Sequence, residues 1–319
     1  MSNDQADINA ESKGCVSVVI TCYNDSQVFF RCLDSVLSQT VKPLEIIIID
    51  DCSTDSEQIR KIIGMFHDES IIYLRNETNK NGAFSRNKGM SISKGEYIAL
   101  LDGDDYWRAE HIEKNLLYIN EVNADFVYSN VIEVDTSGNQ RIRNVTDISL
   151  LENKNDILFY SPPQTNSFFF KKNIYQIVKF DESLRRHQDF QFLISAINSL
   201  GIALAYNPVS TTYYCESHRL NSARVDFDSI FRFWDMHASK FSPNLLNLYL
   251  KQQLHSCVAI KKGEGIFGYL NKYEVLQNKE LQTSFYIKLI NTIGYKNHIS
   301  RAILYFYYHL VYGKLKLKR

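Results

Sequence analysis

The sequence lacks the signatures of several common enzyme classes. No GxGxxG fingerprint follows its first apolar run, which disfavours a dinucleotide oxidoreductase. No GxxxxGK(S/T) segment occurs, which disfavours a P-loop enzyme. HExxH, GxSxG and a catalytic-cysteine signature are missing as well. Net charge is also absent: 36 Lys+Arg balance 36 Asp+Glu. That removes the global basic excess of a nucleic-acid binder, and no nucleic-acid partner is expected. The six cysteines (Cys15, Cys22, Cys32, Cys52, Cys215 and Cys257) form no CxxC pair and no zinc-type Cys/His spacing. Several lie beside apolar runs, where a thiol acts as a small hydrophobe, and a reducing compartment fits best. Met1 to Lys13 is polar and acidic with no apolar h-region. No stretch reaches the ~18 apolar residues of a membrane-spanning helix. A cytoplasmic protein is expected.

What is present is an ordinary globular composition, 45% hydrophobic over 319 residues, enough for one large domain with an appendage. Cys15 to Thr21 and Leu44 to Ile49 are short β-branched runs that end in turn-forming or acidic residues, and both read as buried strands. Ile71 to Leu74, Tyr97 to Leu101, Phe126 to Tyr128 and Ser167 to Phe170 are further strand candidates. Helical spacing is found over Phe29 to Gln39, Glu57 to Phe66, Phe84 to Ser93 and Asp189 to Leu200. Strands alternating with helices predict βαβ units and a largely parallel sheet covered on both faces. From about Asp226 the pattern becomes mainly helical. The expected division is a polar tail over 1–14, an α/β domain over 15–220, and a helical region over 221–319.

Ligands bind such sheets outside the C-terminal strand ends. Here those ends carry Tyr23-Asn24-Asp25, Asp50-Asp51 and Asp102-Gly103-Asp104-Asp105. Three carboxylates in Asp102 to Asp105 would repel one another in a cleft, and a hard divalent cation, magnesium or manganese, would remove that cost. A solvated acidic turn is the plain alternative. For Asp50 and Asp51 the choice lies between helix capping with Ser53 and hydrogen bonding to a nucleobase or ribose. The run Arg185-Arg186-His187-Gln188-Asp189 opens an apolar helix. Asp189 there is either a cap favoured by the helix dipole or a general base facing a cleft. His187 either orients substrate or satisfies a local hydrogen bond.

The ordered set of clusters resembles the family 2 glycosyltransferases of the GT-A fold. The segments that carry the likeness are Val16 to Asn24, Ser35 to Thr40, Glu45 to Asp55 (EIIIIDDCSTD), Asn81 to Gly89 and Gly95 to Trp107. It covers about residues 15 to 215. The resemblance implies a Rossmann-like, mixed but mostly parallel sheet flanked by helices, with a mainly helical C-terminal region. It implies a nucleotide-sugar donor, UDP favoured, and an inverting transfer assisted by a divalent metal ion, Mn2+ or Mg2+. Carried over by position, Thr21, Tyr23 and Asn24 line the nucleotide pocket, Asp51 contacts uracil and Arg86 contacts the diphosphate. Asp102, Asp104 and Asp105 match the family's DxD region: Asp104 is expected to link metal and donor, with Asp102 and Asp105 open between metal and sugar. Asp189 resembles the catalytic base. His218 and Arg219 match a segment that in family members closes over the diphosphate, although a surface loop is the plainer reading.

Beyond Asp226 no catalytic motif appears. Phe285 to Tyr312 is aromatic and the chain ends Lys314-Leu315-Lys316-Leu317-Lys318-Arg319. That combination suits the headgroup region of an anionic membrane, and the alternative is a helix packed internally or against an oligomer partner. The expected acceptor is a glycan or polyisoprenoid-linked glycan of bacterial surface polysaccharide synthesis, with peripheral membrane contact through the C-terminal tail. Nucleotidyl transfer would call for a Gly-rich basic loop after the first strand, which Cys22 to Asp25 does not offer. A non-catalytic nucleotide-sugar-binding scaffold would be marked by loss of the acidic loop or the base, and both are present.

Overall fold

The computed structural model describes residues 16–215, 225–260, 266–294 and 298–311. Its first half alternates as the hydrophobic pattern predicts: β1 (Val16–Cys22), α1 (Ser26–Leu37), β2 (Glu45–Asp50), α2 (Ser56–Phe66), β3 (Ile71–Arg75), α3 (Gly82–Ile92) and β4 (Tyr97–Asp102). β1 and β2 are buried along their whole lengths. Both faces are therefore covered, and their sequences are unbroken apolar runs instead of an in–out alternation. Each fully buried isoleucine in them contributes about 1.5–3 kcal/mol relative to exposure. The parallel register sets Thr21 opposite both Ile49 of β2 and Asp102 of β4, so the polar strand ends emerge side by side.

The chain continues through β5 (Tyr106–Trp107), α4 (His111–Glu121), β6 (Phe126–Val134), β7 (Gln140–Arg143), β8 (Phe169–Lys171), the single turn α5 (Ile174–Ile177), α6 (Gln188–Ile197) and β9 (Leu204–Cys215). The sheet order is β3-β2-β1-β4-β8-β6-β9-β5, with β7 paired to β6. Most paired residues lie in parallel ladders, β1 with β2 and β4, β2 with β3, and β6 with β9. The β8 hydrogen bonds to β4 and β6 are antiparallel. This is the mixed, mostly parallel sheet expected. Ser167, expected in a strand, instead closes a 3-10 turn over Thr165–Ser167, and the strand starts at Phe169. Ser167 Oγ and the Ser167 amide both bond back to the Gln164 carbonyl, at 2.8 and 3.0 Å, which bends the chain before the ladder begins. The sequence pattern also gave no sign of α4 or of the long β9.

Two compact units are distinguished, Met1–Leu150 with Pro162–His218, and Leu151–Ser161 with Arg219–Arg319. The second contains α7 (Phe227–His237), α8 (Pro243–Ile260), α9 (Ile266–Lys272), the short turns α10 (Glu274–Gln277) and α11 (Lys279–Gln282), α12 (Phe285–Ile293) and α13 (His298–Val311). Asp226 caps α7 through the Ser229 amide and Ser284 caps α12 through the Ile287 amide. Its core centres on fully buried Trp234, in ring contact with Phe159, Phe241 and Tyr249 at 4.9 to 5.6 Å. Among the described residues no helix is long and apolar enough to cross a membrane.

Candidate active site

The site is built at the C-terminal ends of β1, β2 and β4. Thr21 is the buried penultimate residue of β1, and its Oγ1 donates to Asp102 Oδ1 at 3.1 Å. Asn24, at φ 60°, turns the chain away. Its side-chain carbonyl accepts from Thr54 N and Thr54 Oγ1 at 2.8 and 3.0 Å, and its own amide donates to Ser53 Oγ at 3.0 Å. Asn24 thus ties the loop after β1 to the loop after β2. Tyr23 beside it is half exposed. Asn24, Cys52, Asn81 and His187 all hold positive φ, and all stand in the loops around these strand ends. Such conformations cost of order 1 kcal/mol or more each and gather where surrounding structure fixes a functional geometry.

The two aspartates at the end of β2 have different tasks. Asp50 is fully buried and accepts from Ser53 N at 2.7 Å and from Tyr73 OH at 2.6 Å, so it holds the turn together. Burial, then the hydrogen bond to Asp50 and its charge, push the Tyr73 phenol well above its ordinary range. Asp51 accepts from Asn76 Nδ2 (2.9 Å), Lys80 N (2.8 Å) and Asn81 N (2.8 Å). Three of the roughly four acceptor positions of its carboxylate are therefore committed to the loop that leads into α3.

That loop sets Arg86. Asn81 caps α3 by accepting from Phe84 N at 3.2 Å, which fixes the first turn. Gly82 follows because a Cβ there would lie 2.8 Å from Arg86 Nη1 and 3.1 Å from Gln188 Nε2. The nearly buried Arg86 side chain then reaches β4, its Nη2 2.5 Å from Asp102 Oδ1. Phe180 lies under its guanidinium at 5.5 Å.

The acidic loop turns tightly behind β4. A Cβ on Gly103 would stand 2.8 Å from Cys22 Cβ, so only glycine lets the loop pack on β1. Asp104 and Asp105 are buried and Asp102 is partly exposed. Asp105 accepts from the Cys215 amide at 2.7 Å, at the end of β9, and from Asn166 Nδ2. Asn166 Oδ1 in turn accepts from the Asp102 amide at 2.9 Å, so one side chain grips both ends of the loop. Carboxylate oxygens of Asp102, Asp104 and Asp105 all lie within 4.8 Å of one another. Opposite oxygens around Mg2+ stand about 4.2 Å apart, given ligand distances of ~2.1 Å, so this donor set is hard, anionic and of the right dimension. The residues present fit a divalent cation.

Asp189 enters from α6. Asn87 of α3 bonds both Phe180 O (2.8 Å) and Glu182 Oε1 (2.9 Å), and Asn81 Nδ2 bonds Glu182 O at 2.9 Å. These bonds hold the chain before α6 against α3. Asp189 stands in the first turn of α6, where burial raises its carboxyl above the usual range. The Phe190 amide and the positive charge of Arg86 oppose that rise, while the charge of Asp102 adds to it. Asp189 is therefore brought into the electrostatic neighbourhood of Arg86 and Asp102. The Gln188 Oε1 beside it is buried with no hydrogen-bond partner among the described residues. His187 stacks on Phe190 at 4.7 Å, and burial followed by the Arg186 charge pushes its imidazole down to about 3. Burial thus favours the neutral imidazole. His218 and Arg219 lie outside the described residues.

Asn166 and Glu182 were not singled out from the sequence, and Asn81 and Asn87 entered only as members of the Asn81 to Gly89 segment, with no role of their own. All bond across 60 or more residues except the Asn81 cap. Local pattern carries no trace of such pairs.

The model of the glycosyl transferase family 2 domain matches residues 17–188, more than half of the chain. The chain belongs to glycosyl transferase family 2. The amylovoran biosynthesis glycosyltransferase AmsB of Erwinia amylovora is 29% identical over 189 residues, 56% of this chain and 63% of that protein. A UDP-Glc:alpha-D-GlcNAc-diphosphoundecaprenol beta-1,3-glucosyltransferase, WfaP of Escherichia coli, is 41% identical over 115 residues, 36% of this chain and 45% of that one. The chain thus spans less than two-thirds of the length of either relative. The crystal structure of S. aureus TarS 1-349 in complex with UDP-GlcNAc superposes with a TM-score of 0.59 at 18% identity, covering 95% of this chain and 88% of that one. That likeness establishes the GT-A-like fold.

Proposed function

We propose that this chain is an inverting glycosyltransferase of bacterial surface polysaccharide synthesis. It moves a sugar from a nucleoside-diphosphate donor, UDP-linked by preference, to a hydroxyl of a glycan or polyisoprenoid-linked glycan. The observation that carries this reading is the meeting of Arg86, the Asp102–Asp105 loop and Asp189 at one edge of the sheet. AmsB is named for polysaccharide biosynthesis and WfaP for a UDP-sugar donor and a diphosphoundecaprenol acceptor, which supports the same class of substrates here.

In this reading Thr21, Tyr23, Asn24 and Asp51 border the nucleoside, Tyr23 offering its half-exposed ring and Asp51 its remaining acceptor position. Arg86 faces the diphosphate. Asp104 and Asp105, with Asp102 shared toward the donor, would hold Mn2+ or Mg2+. When bound, that ion supplies charge neutralisation for the departing nucleoside diphosphate. Asp189 takes the proton of the acceptor hydroxyl as its oxygen forms the new bond to the anomeric carbon; the bond from that carbon to the diphosphate oxygen breaks, and the electron pair leaves with the nucleotide. Gln188 Oε1 is available to a sugar hydroxyl. Positioned general bases contribute about 10²–10⁴-fold. His187 orients the first turn of α6 through its ring contact with Phe190. His218 and Arg219 stay assigned to the diphosphate by family position alone. The location that suits a lipid-linked acceptor is the cytoplasmic face of the membrane, reached through the C-terminal region; the oligomeric state is open to sedimentation.

The test is a panel of UDP-, GDP- and TDP-sugars with manganese, magnesium or EDTA, read as nucleoside diphosphate release. Metal-dependent release from one donor is the expected result. No release, together with no metal-dependent nucleotide binding, would overturn the reading in favour of a structural acidic loop.

A further inference from the structure

The acidic and basic residues of this chain are not mixed evenly. All 36 Asp and Glu residues precede Leu281, and residues 281–319 hold seven Lys or Arg with no acidic residue. A neutral protein thus ends in a segment of pure positive charge. The same segment exposes apolar surface. On α13, Ile299, Ile303 and Phe306 recur at helical spacing and are 75%, 44% and 70% exposed. The opposite side of the helix is docked: Leu304 is fully buried and Ser300 Oγ donates to Ile293 O at 2.8 Å. Phe285 of α12, 59% exposed, extends the apolar strip, its ring 5.0 Å from that of Tyr307. Lys288, one turn further along α12, is exposed too.

We infer that the outward face of α13, extended by Phe285, is a docking surface for an anionic lipid bilayer. This deepens the membrane contact proposed above and rests on it. An apolar strip with the exposed Lys288 near it, in a stretch of sequence that carries seven basic and no acidic residues, matches a headgroup layer: the side chains enter the acyl boundary and the cations meet lipid phosphates. The charge also speaks against a second copy of this chain as the occupant. A symmetric contact through this face would set two such cationic segments against each other.

The experiment is co-sedimentation of the full chain with vesicles of phosphatidylcholine alone, or of phosphatidylcholine with about a third phosphatidylglycerol, at low and high salt. Binding is expected on the anionic vesicles only, and weaker at high salt. Ile299→Asp and Phe306→Asp should each lower the apparent affinity about tenfold or more, while Phe306→Leu retains most of it. Hydrolysis of a soluble donor should be unchanged in all three, so loss of vesicle binding and loss of transferase activity are read separately. Equal binding to both vesicle types, or full binding by the Asp variants, would overturn the inference. So would a dimer in solution that Phe306→Asp dissolves, since the face would then be a self-association surface.

Discussion

Arg86 of α3 and Asp102 of β4 form the closest ion pair of the site, Nη2 to Oδ1 at 2.5 Å, with the arginine side chain 8% and the aspartate 25% exposed. The pair joins the helix that follows the Asp51 loop to the strand that opens the acidic loop. Removing one partner of such a pair leaves the other charge poorly solvated, a cost of about 3 kcal/mol in buried cases. Arg86→Met should therefore lower the melting temperature as well as kcat/KM for the donor. Arg86→Lys keeps the charge but loses the planar fork, so it should recover stability more than activity. Thermal unfolding and donor kinetics on the two variants check this; equal recovery of both by lysine would make Arg86 purely structural.

Asp189 allows a test by pH. Its carboxyl binds a proton more tightly in the folded chain than in the unfolded one, because burial outweighs the Phe190 amide and Arg86. The unfolded chain therefore ionises first as pH rises from the ordinary value of ~3.9, and stability declines between that value and the raised one. Asp189→Asn removes this loss. The variant should be nearly inactive, with turnover down about 10²–10⁴-fold and donor binding kept. It should also melt above the parent at pH 7, with the gap closing toward pH 3.5. A variant that melts lower at pH 7 would mark Asp189 as a stabilising helix-start carboxylate instead. In the parent, the acidic limb of the rate profile should lie above that of an ordinary carboxylate.

The strands, the helices between them and the acidic strand ends were legible because burial on both faces forces β1, β2 and β4 to be apolar throughout, and because turns demand Asn, Asp and Gly. The family motifs supplied the roles expected of Arg86 and Asp104. What the sequence hid has a common physical origin. β9 is mostly half-buried, mixes tyrosines with small polar residues, and is interrupted at Pro208, where its register with β6 shifts, so its alternation is weak and it is defined only by pairing with β6 and β5. Asn166 and Glu182 gain their roles from partners distant in the chain. Asp51 reads as a nucleotide ligand by motif, and the structure adds a second task, gathering the amides of Lys80 and Asn81.

That second task is separable from the first. Asp51→Asn leaves one side-chain oxygen where two accepted, and turns an N–H toward donors that need an acceptor. An unsatisfied buried donor costs about 1–3 kcal/mol, so the variant should lose stability by at least that much. UDP affinity should fall with it, because the same loop positions Arg86. Calorimetric UDP binding and thermal unfolding decide the matter: wild-type stability with selective loss of uridine over guanosine nucleotides would show that Asp51 acts on the base alone.

Asn166 makes the strongest test of the acidic loop. It donates to Asp105, accepts from the Asp102 amide, and its backbone carbonyl accepts from Trp107 Nε1 at 2.9 Å. Asn166→Ala leaves the Asp102 amide and the Asp105 carboxylate each short of a partner, and should cost roughly 2–4 kcal/mol while raising the metal concentration needed for half-maximal activity. Asn166→Asp keeps the acceptor for the Asp102 amide but sets a fourth carboxylate against three that already lie within 4.8 Å of one another. Like charges at that range disfavour the ionised state, and a divalent cation offsets the repulsion. Asn166→Asp should therefore be the least stable variant in EDTA and gain the most from added manganese. Melting curves with and without Mn2+ read this directly. A parent and an Asn166→Asp variant that both ignore the ion would mean the three aspartates are held by protein hydrogen bonds and bind no cation on their own.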